Sequence, residues 1–199
     1  MTGSIGMLLV TIASIETACY RIPLPRTLSD STHGRISHFQ LVTVRLRDKN
    51  GSEGLGYTYT VGQGGLAIRS IIAEDLTPLL NGADDTDIEE IWQRMWRHLH
   101  YVGRGGLASF AVSAIDIALW DLQARRQQLP LWRLLGGTNA QVPVYAGGID
   151  LEFSIDDLLR QAESFLSMGF RAIKMKVGRS ELRQDVSGRH LREGRCPLG

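Results

Sequence analysis

The sequence predicts an α+β unit that is followed by the first βαβ unit of an incomplete (β/α) barrel. Three observations support this prediction. The opening of the chain alternates apolar and polar residues, the middle repeats apolar residues at helical spacing, and after residue 140 a strand, a helix and a strand follow closely. Strands followed by helices indicate an α+β unit, whereas alternating strands and helices indicate a parallel sheet.

The opening of the chain predicts three antiparallel strands. Residues 12–20 and 38–47 are rich in β-branched side chains, and in the second segment valine and leucine alternate with threonine and arginine. This alternation is typical of a half-buried strand. Asn50 and Gly51 then form a strong hairpin signal. Residues 57–61 are expected to return as the third strand.

Three helices are expected next. Apolar stripes cover residues 71–80, 88–99 and 107–122, and the second has its apolar residues at the i, i+3, i+4 spacing of an amphipathic helix. Aspartates at its start, Asp87 among them, favour a helix because negative charge is stabilised at a helix N-terminus. Residues 1–137 therefore form the predicted α+β domain.

The pattern changes at residue 141. Residues 142–146 predict a strand, and Ser154 with Asp157 resembles a capping box that opens a helix. That helix is expected to end at Gly169, and residues 171–177 predict a second strand. A strand, a helix and a strand at this spacing form one βαβ unit of a parallel sheet.

The predicted barrel is incomplete. A (β/α)₈ barrel needs about 250 residues, and 59 residues follow Ala140. We therefore assign residues 138–186 to the start of a barrel domain. Residues 187–199 have no apolar periodicity and are interpreted as an aberrant tail that resembles translation in another reading frame.

Composition excludes several classes of protein. The net charge is +1, so the sequence lacks the basic surface of nucleic-acid binders. The opening residues lack the basic segment of a signal peptide, and no membrane span is predicted. Cys19 and Cys196 fit neither a disulfide framework nor a metal site. A soluble cytoplasmic protein is expected.

Lys174 and Lys176 are the residues with the clearest chemical potential. Residues two apart in a strand project to the same face, so both ammonium groups would lie together. Burial and like charge would lower the pKa of at least one lysine, as a general base requires. On spacing alone, an edge strand that carries two solvated lysines is the more common explanation.

Two motifs in register give a more specific interpretation. They are Ala-Val-Ser-Ala-Ile-Asp-Ile-Ala-Leu-Trp-Asp-Leu-Gln-Ala-Arg at 111–125, followed by Pro-Leu-Trp-Arg-Leu-Leu-Gly at 130–136, and Arg-Ala-Ile-Lys-Met-Lys-Val-Gly at 171–178. They resemble the signature helix and the second barrel strand of the mandelate racemase and muconate lactonizing enzyme family of the enolase superfamily. The likeness covers roughly residues 8–186. It implies an enolase-type N-terminal capping domain followed by an incomplete TIM-type barrel.

The resemblance also implies roles for particular residues. Lys176 matches the family's proton-abstracting base, and Lys174 matches the neighbour that holds the substrate carboxylate. Loops at 20–38 and 57–65 match the two capping loops, which makes His33, Tyr57 and Tyr59 candidate substrate-binding residues. The family uses Mg²⁺, and its metal ligands are expected beyond this chain.

The implied reaction is removal of the proton α to the carboxylate of a small hydroxy acid or sugar acid. An acid-sugar dehydratase is favoured, with a mandelate-type racemase, a cycloisomerase or an epimerase as alternatives. The chain as given is expected to be inactive, and an inactive product that acts only in subunit association is a further alternative. The intact protein is expected to be a homo-oligomer that binds neither nucleic acid nor membrane.

Overall fold

The computed structural model describes residues 10–179. Within this range the chain divides into two compact units. The first contains residues 10–22 and 39–140, and the second contains residues 23–38 and 141–179. The segment 23–38 belongs to the second unit although it is flanked on both sides by residues of the first.

The first three strands form one sheet in the order β1-β2-β3. They are β1 (Ile12–Asp30), β2 (Gly34–Asp48) and β3 (Glu53–Thr60). Strand β3 pairs antiparallel with β2, with Thr43 opposite Tyr57 and Leu41 opposite Tyr59. The three predicted strands are thereby confirmed.

Strands β1 and β2 are longer than the sequence predicts. Residues 20–38 were expected to form a loop, but they form the end of a β-hairpin whose turn is limited to residues 31–33. The β1 half contains Pro23 and Pro25. Their missing N–H groups face the same edge of the strand, so both are compatible with an edge strand. The expected loop at 57–65 is also shorter, because β3 continues to Thr60 and a helix begins at Gly65.

Helices follow the sheet in the order that the apolar stripes predict. They are α1 (Gly65–Ser70), which continues through a π-helical segment (Ile71–Leu76) into α2 (Thr77–Leu80), then α3 (Ile88–His98), α4 (Leu107–Arg126) and the short α5 (Leu131–Leu134). The side chain of Asp87 accepts a hydrogen bond from the backbone N–H of Glu90 at 2.9 Å and so caps α3.

Helix α4 packs closely on β3, and two glycines permit this approach. A Cβ atom on Gly56 would lie 1.9 Å from the carbonyl oxygen of Ala114, and one on Gly54 would lie 2.1 Å from that of Ala118. The apolar core of the first unit lies at this interface and includes the fully buried Ile115, Leu119 and Leu122 of α4.

By length and composition, α4 could also cross a membrane. This criterion does not test the sequence-based prediction that the chain has no membrane span, because the core helices of soluble proteins also meet it. Half of the apolar window is buried within the protein, as expected for the central helix of a packed domain.

The second unit contains a parallel strand pair and one helix. Strand β4 (Ala146–Gly147) pairs parallel with β5 (Ile173–Lys174), and α6 (Ile155–Ser167) connects them. The predicted capping box is confirmed, because the Ser154 hydroxyl oxygen accepts a hydrogen bond from the backbone N–H of Asp157 at 3.2 Å. Gly169 follows the helix with a φ of 91°, a left-handed conformation that favours glycine at this position.

The strands of this βαβ unit are shorter than predicted. Residues 142–146 and 171–177 were expected to be strands, whereas the regular ladder covers two residues on each side. Val142 and Val144 are largely exposed. Within residues 10–179, β4 and β5 each pair with one strand only, so no second neighbouring strand stabilises a longer ladder. The predicted tail at 187–199 lies outside the described residues.

Candidate active site

The lysine pair lies at the end of the parallel ladder. The backbone N–H of Ala146 donates to the carbonyl of Ala172 at 2.9 Å, and that of Gly148 donates to the carbonyl of Lys174 at 2.8 Å. Lys176 lies two residues beyond β5, at the carboxyl end of the strand. In parallel sheets, this end is where active sites form.

The lysines differ in exposure. Lys174 is exposed and Lys176 is half-buried. The expectation that both ammonium groups are buried side by side is therefore wrong for this structure. Lys176 is the more enclosed of the two.

A side chain completes the ladder at Lys176. The backbone N–H of Lys176 donates to Oδ1 of Asp150 at 3.0 Å. Asp150 is only 1% exposed, and its other oxygen, Oδ2, is buried without a hydrogen-bond partner among the described residues. Asp150 thus fixes the segment that carries the candidate base.

The hairpin at 23–38 packs on the same segment. Ser29 forms a parallel bridge with Asp150, and the backbone N–H of Leu151 donates to the Ser29 carbonyl at 3.2 Å. The Ser29 hydroxyl accepts a hydrogen bond from the backbone N–H of Glu152 at 3.1 Å. The hairpin is therefore hydrogen-bonded to residues 149–152, and Asp150 in that stretch is hydrogen-bonded to Lys176.

Three arginine contacts reinforce this docking. Arg26 lies 3.1 Å from the carboxylate of Asp157, and its guanidinium stacks 3.6 Å above the ring of Phe153. Arg35 pairs with Glu152 at 2.7 Å. Hydrogen bonds from Ser154, then Arg26 and Arg160, lower the pKa of the Asp157 carboxyl. These surface pairs contribute orientation more than stability, because solvent screens them.

His33 lies in the turn of this hairpin. Its ring Nδ1 lies 2.9 Å from Oδ2 of Asp30, and its side chain is 48% exposed. Hydrogen bonds from the backbone and the ring of His33 lower the pKa of Asp30 to about 2. Ser31 belongs to the same turn. A Cβ atom added to Gly178 would lie 3.1 Å from Cβ of Ser31. The turn is therefore close to the chain that follows Lys176.

Tyr57 and Tyr59 belong to the first unit. They are 54% and 55% exposed on the outer face of β3, opposite the face that packs on α4. The Tyr59 ring meets that of Phe39 edge to face, with centroids 5.5 Å apart. The structure therefore places Lys174, Lys176 and His33 in one unit and the two tyrosines in the other.

No magnesium ligand set is present in the described part of the chain. Across residues 10–179, no three His, Cys, Asp or Glu side chains are grouped so that they could hold a metal ion. Within these residues, the candidate site therefore consists of the candidate base and the hairpin at 23–38, and we assign it no metal ligand.

The first unit contains a separate cavity of about 770 Å³. Trp92, Trp120 and Asp116 line it, together with Glu89. Burial, and then the charge of Glu89, raise the pKa of the Asp116 carboxyl. None of the five predicted site residues lines this cavity.

A three-stranded sheet with packed helices, followed by a βαβ unit, is the architecture of the N-terminal capping domain of the enolase superfamily and of the segment that follows it. Residues 12–136 match the family described as mandelate racemase / muconate lactonizing enzyme, N-terminal domain. The chain belongs to this family. The resemblance inferred from the two sequence motifs is thereby confirmed.

Relatives of established function include two sugar-acid enzymes. The chain is 58% identical over 175 residues to a 3,6-anhydro-alpha-L-galactonate cycloisomerase of Streptomyces coelicolor, covering 88% of this chain and 48% of that protein. It is 34% identical over 185 residues to an L-talarate/galactarate dehydratase of Salmonella typhimurium, covering 89% of this chain and 46% of that protein. The chain spans about half the length of the curated relatives it matches.

Solved structures agree with this assignment. A racemase from Streptomyces coelicolor with bound magnesium superposes with a TM-score of 0.89 and 57% identity, over 92% of this chain and 51% of that chain. The Salmonella dehydratase, liganded with Mg and L-lyxarohydroxamate, superposes with a TM-score of 0.87 and 28% identity, over 96% of this chain and 50% of that chain. Magnesium is therefore a feature of the related structures.

Sequence reasoning missed Asp150 and Ser29. Asp150 follows β4 by three residues, after Gly147 and Gly148, and an acidic residue just past the carboxyl end of a barrel strand is a recognisable signal for a site residue. Ser29 offered no comparable signal, because its role depends on a hairpin in which Pro23 and Pro25 disfavour a strand locally.

Proposed function

We propose that this chain supplies the capping domain and the base-bearing segment of a sugar-acid enzyme, and that its substrate is a 3,6-anhydro-galactonate undergoing cycloisomerisation. One observation carries the choice of substrate, namely the 58% identity over 175 residues to the Streptomyces coelicolor cycloisomerase. The position of Lys176 at the carboxyl end of the parallel ladder supports the assignment of the base.

The first chemical step belongs to Lys176. Its neutral amine takes the proton from C2, the carbon next to the carboxylate, and the electron pair moves into the carboxylate to give an enediolate. Lysine bases with magnesium-stabilised enediolates are general in the enolase superfamily.

The second step decides between the reactions of the two relatives. The electron pair returns to form a C2=C3 double bond as the C3–O bond breaks, and a general acid in the remainder of the intact protein protonates the leaving oxygen. In a 3,6-anhydro sugar acid that oxygen stays attached through C6, so the ring opens without loss of atoms, which is an isomerisation. In an open-chain sugar acid the same oxygen leaves as water, which is a dehydration.

The second candidate function is therefore an acid-sugar dehydratase. The Salmonella dehydratase structure favours it, since it superposes over 96% of this chain with a TM-score of 0.87. Both functions assign the same role to Lys176 and differ only in the leaving oxygen. Magnesium, when bound in an intact enzyme of this family, would stabilise the enediolate.

A fusion protein tests the proposal. Residues 1–179 of this chain are joined to the remaining part of the Streptomyces coelicolor cycloisomerase, and the fusion is assayed with 3,6-anhydro-galactonate and with galactarate. We expect ring opening of the anhydro acid, and loss of turnover in Lys176→Ala. Lys49→Ala, a change in an exposed turn lysine, is the matched control and should keep turnover.

Two results would contradict the proposal. Turnover of galactarate, without turnover of the anhydro acid, would support the dehydratase function and contradict the cycloisomerase function. A folded fusion without either activity, beside an active unmodified relative, would favour a chain that functions only in subunit association.

A further inference from the structure

We infer that Asp150 is a positioning residue for the candidate base Lys176, and that it couples the capping hairpin to that base. The inference rests on the proposed role of Lys176. It extends that role by naming the group that sets where the base is held.

The first argument is the hydrogen-bond pattern. In the parallel ladder, Gly148 donates to the carbonyl of Lys174 at 2.8 Å. At Lys176 the acceptor is instead Oδ1 of the Asp150 side chain, at 3.0 Å. A carboxylate forms a stronger hydrogen bond than a neutral carbonyl. The backbone at the base therefore depends on one side chain.

The second argument is burial. Asp150 is 1% exposed, and a buried carboxylate is costly unless its hydrogen bonds are made. Oδ2 has no hydrogen-bond partner among the described residues, so this side chain is buried with an incomplete set of hydrogen bonds. A residue that served only to stabilise the fold would be better served by an apolar side chain.

The third argument is the close fit of Gly148. A Cβ atom at Gly148 would lie 2.1 Å from Oδ2 of Asp150 and 2.7 Å from Oε1 of Gln161. A side chain at 148 would therefore displace the carboxylate from its position. Gly148 thus provides a second, independent way to disturb the contact.

The coupling to the hairpin follows from Ser29. Ser29 bridges Asp150 in parallel, and its hydroxyl accepts the backbone N–H of Glu152 at 3.1 Å. The hairpin that carries His33 and the segment that carries Lys176 thus meet at the same residue. Movement of the hairpin on substrate binding would be transmitted to the base through Asp150.

Amide hydrogen exchange in the full 199-residue chain tests this inference. In Asp150→Ala, exchange of the Lys176 amide should accelerate about 10-fold or more, as expected for loss of a buried charge-assisted hydrogen bond. The Ala146 amide, which donates to Ala172 in the same ladder, is the internal control and should keep its protection. Asp150→Asn retains an acceptor oxygen and should restore most of the protection at Lys176.

Gly148→Ala is the second variant, and it should expose the Lys176 amide as Asp150→Ala does. In the fusion enzyme, Asp150→Ala should lower kcat with little change in KM, and Asp150→Asn should recover part of kcat.

The inference is overturned if the Lys176 amide exchanges at the parental rate in Asp150→Ala and Gly148→Ala. It is also overturned if the Lys176 and Ala146 amides lose protection equally, since Asp150 would then stabilise the whole ladder. Because exchange needs no turnover, an inactive fusion would count against the proposed function and leave this test readable.

Discussion

Arg126 and Asp85 form a two-pronged ion pair, in which Nη1 donates to Oδ1 at 2.7 Å and Nη2 donates to Oδ2 at 2.6 Å. The same guanidinium donates through Nε to Oδ2 of Asp48 at 2.9 Å. Both aspartate side chains are fully buried. One arginine at the end of α4 therefore pairs with two buried carboxylates of the first unit.

Arg126→Leu should destabilise the first unit by about 3–5 kcal/mol, because it leaves buried charges without a partner. Denaturant unfolding of the 199-residue chain measures the effect. Arg125→Leu is the matched control. Arg125 pairs with Asp121 on the surface, and its loss should cost at most about 1 kcal/mol. Equal effects of the two substitutions would contradict the structural role of the buried pair.

Acidification should destabilise the first unit through Asp48. Burial raises the pKa of this carboxyl, but hydrogen bonds from Arg126 and Ser52 outweigh burial and lower it below 3.8. A carboxyl with a lowered folded-state pKa contributes stability that is complete above its unfolded pKa and is lost as pH falls through the folded value.

The free energy of unfolding should therefore fall as the pH drops below about 4, and Asp48→Asn should reduce this dependence. Urea unfolding at a series of pH values measures both slopes. Asp75→Asn, a change at an exposed carboxyl of the same unit, is the control and should keep the parental slope. A parental slope in Asp48→Asn would exclude Asp48 as the group responsible.

Gly56→Ala should be among the most damaging single substitutions in the first unit. Its Cβ would lie 1.9 Å from the backbone oxygen of Ala114, so α4 and β3 would have to separate. Overpacking of this kind costs about 1–3 kcal/mol or more. Gly105→Ala, where a Cβ meets nothing within 4 Å, should have little effect. Thermal or denaturant unfolding of the two variants compares them directly.

The two lysines should differ in their effect on proton exchange. In the fusion enzyme, Lys176→Ala should reduce incorporation of solvent deuterium at the substrate α-carbon by about 10²–10⁴-fold or more, as loss of a general base does. Lys174→Ala should reduce the deuterium incorporation less. Lys174 is exposed and lies within β5, two residues before the carboxyl end that carries Lys176. NMR of recovered substrate and product measures the exchange. Parental exchange in Lys176→Ala would remove this lysine from the mechanism.

Local patterns predicted much of the fold. The alternation in 38–47, the stripe of 107–122 and the serine cap at Ser154 each depend on neighbours within a few residues, and each is confirmed. The hairpin at 20–38 was missed because Pro23 and Pro25 oppose a strand locally, while contacts far along the chain stabilise one.

The candidate site was predictable only in part. The spacing of Lys174 and Lys176 identifies a pair, and the family resemblance assigns their roles. Their unequal exposure could not be predicted, because the exposure of a side chain depends on tertiary packing and not on spacing in the sequence. Asp150 supports Lys176 across 26 residues of sequence, and no periodicity links two such positions.

The discontinuous second unit has a consequence for how the protein folds. Arg35 finds Glu152 across 117 residues, and Ser29 bonds Glu152 across 123 residues. Contacts between residues so far apart in the sequence form late, because closing the long intervening loop costs conformational entropy. During synthesis the hairpin leaves the ribosome long before Glu152. Its strand edge therefore stays unpaired until the ribosome has released residue 152. Translation speed between these two points therefore sets how long an unpaired strand edge stays open to aggregation.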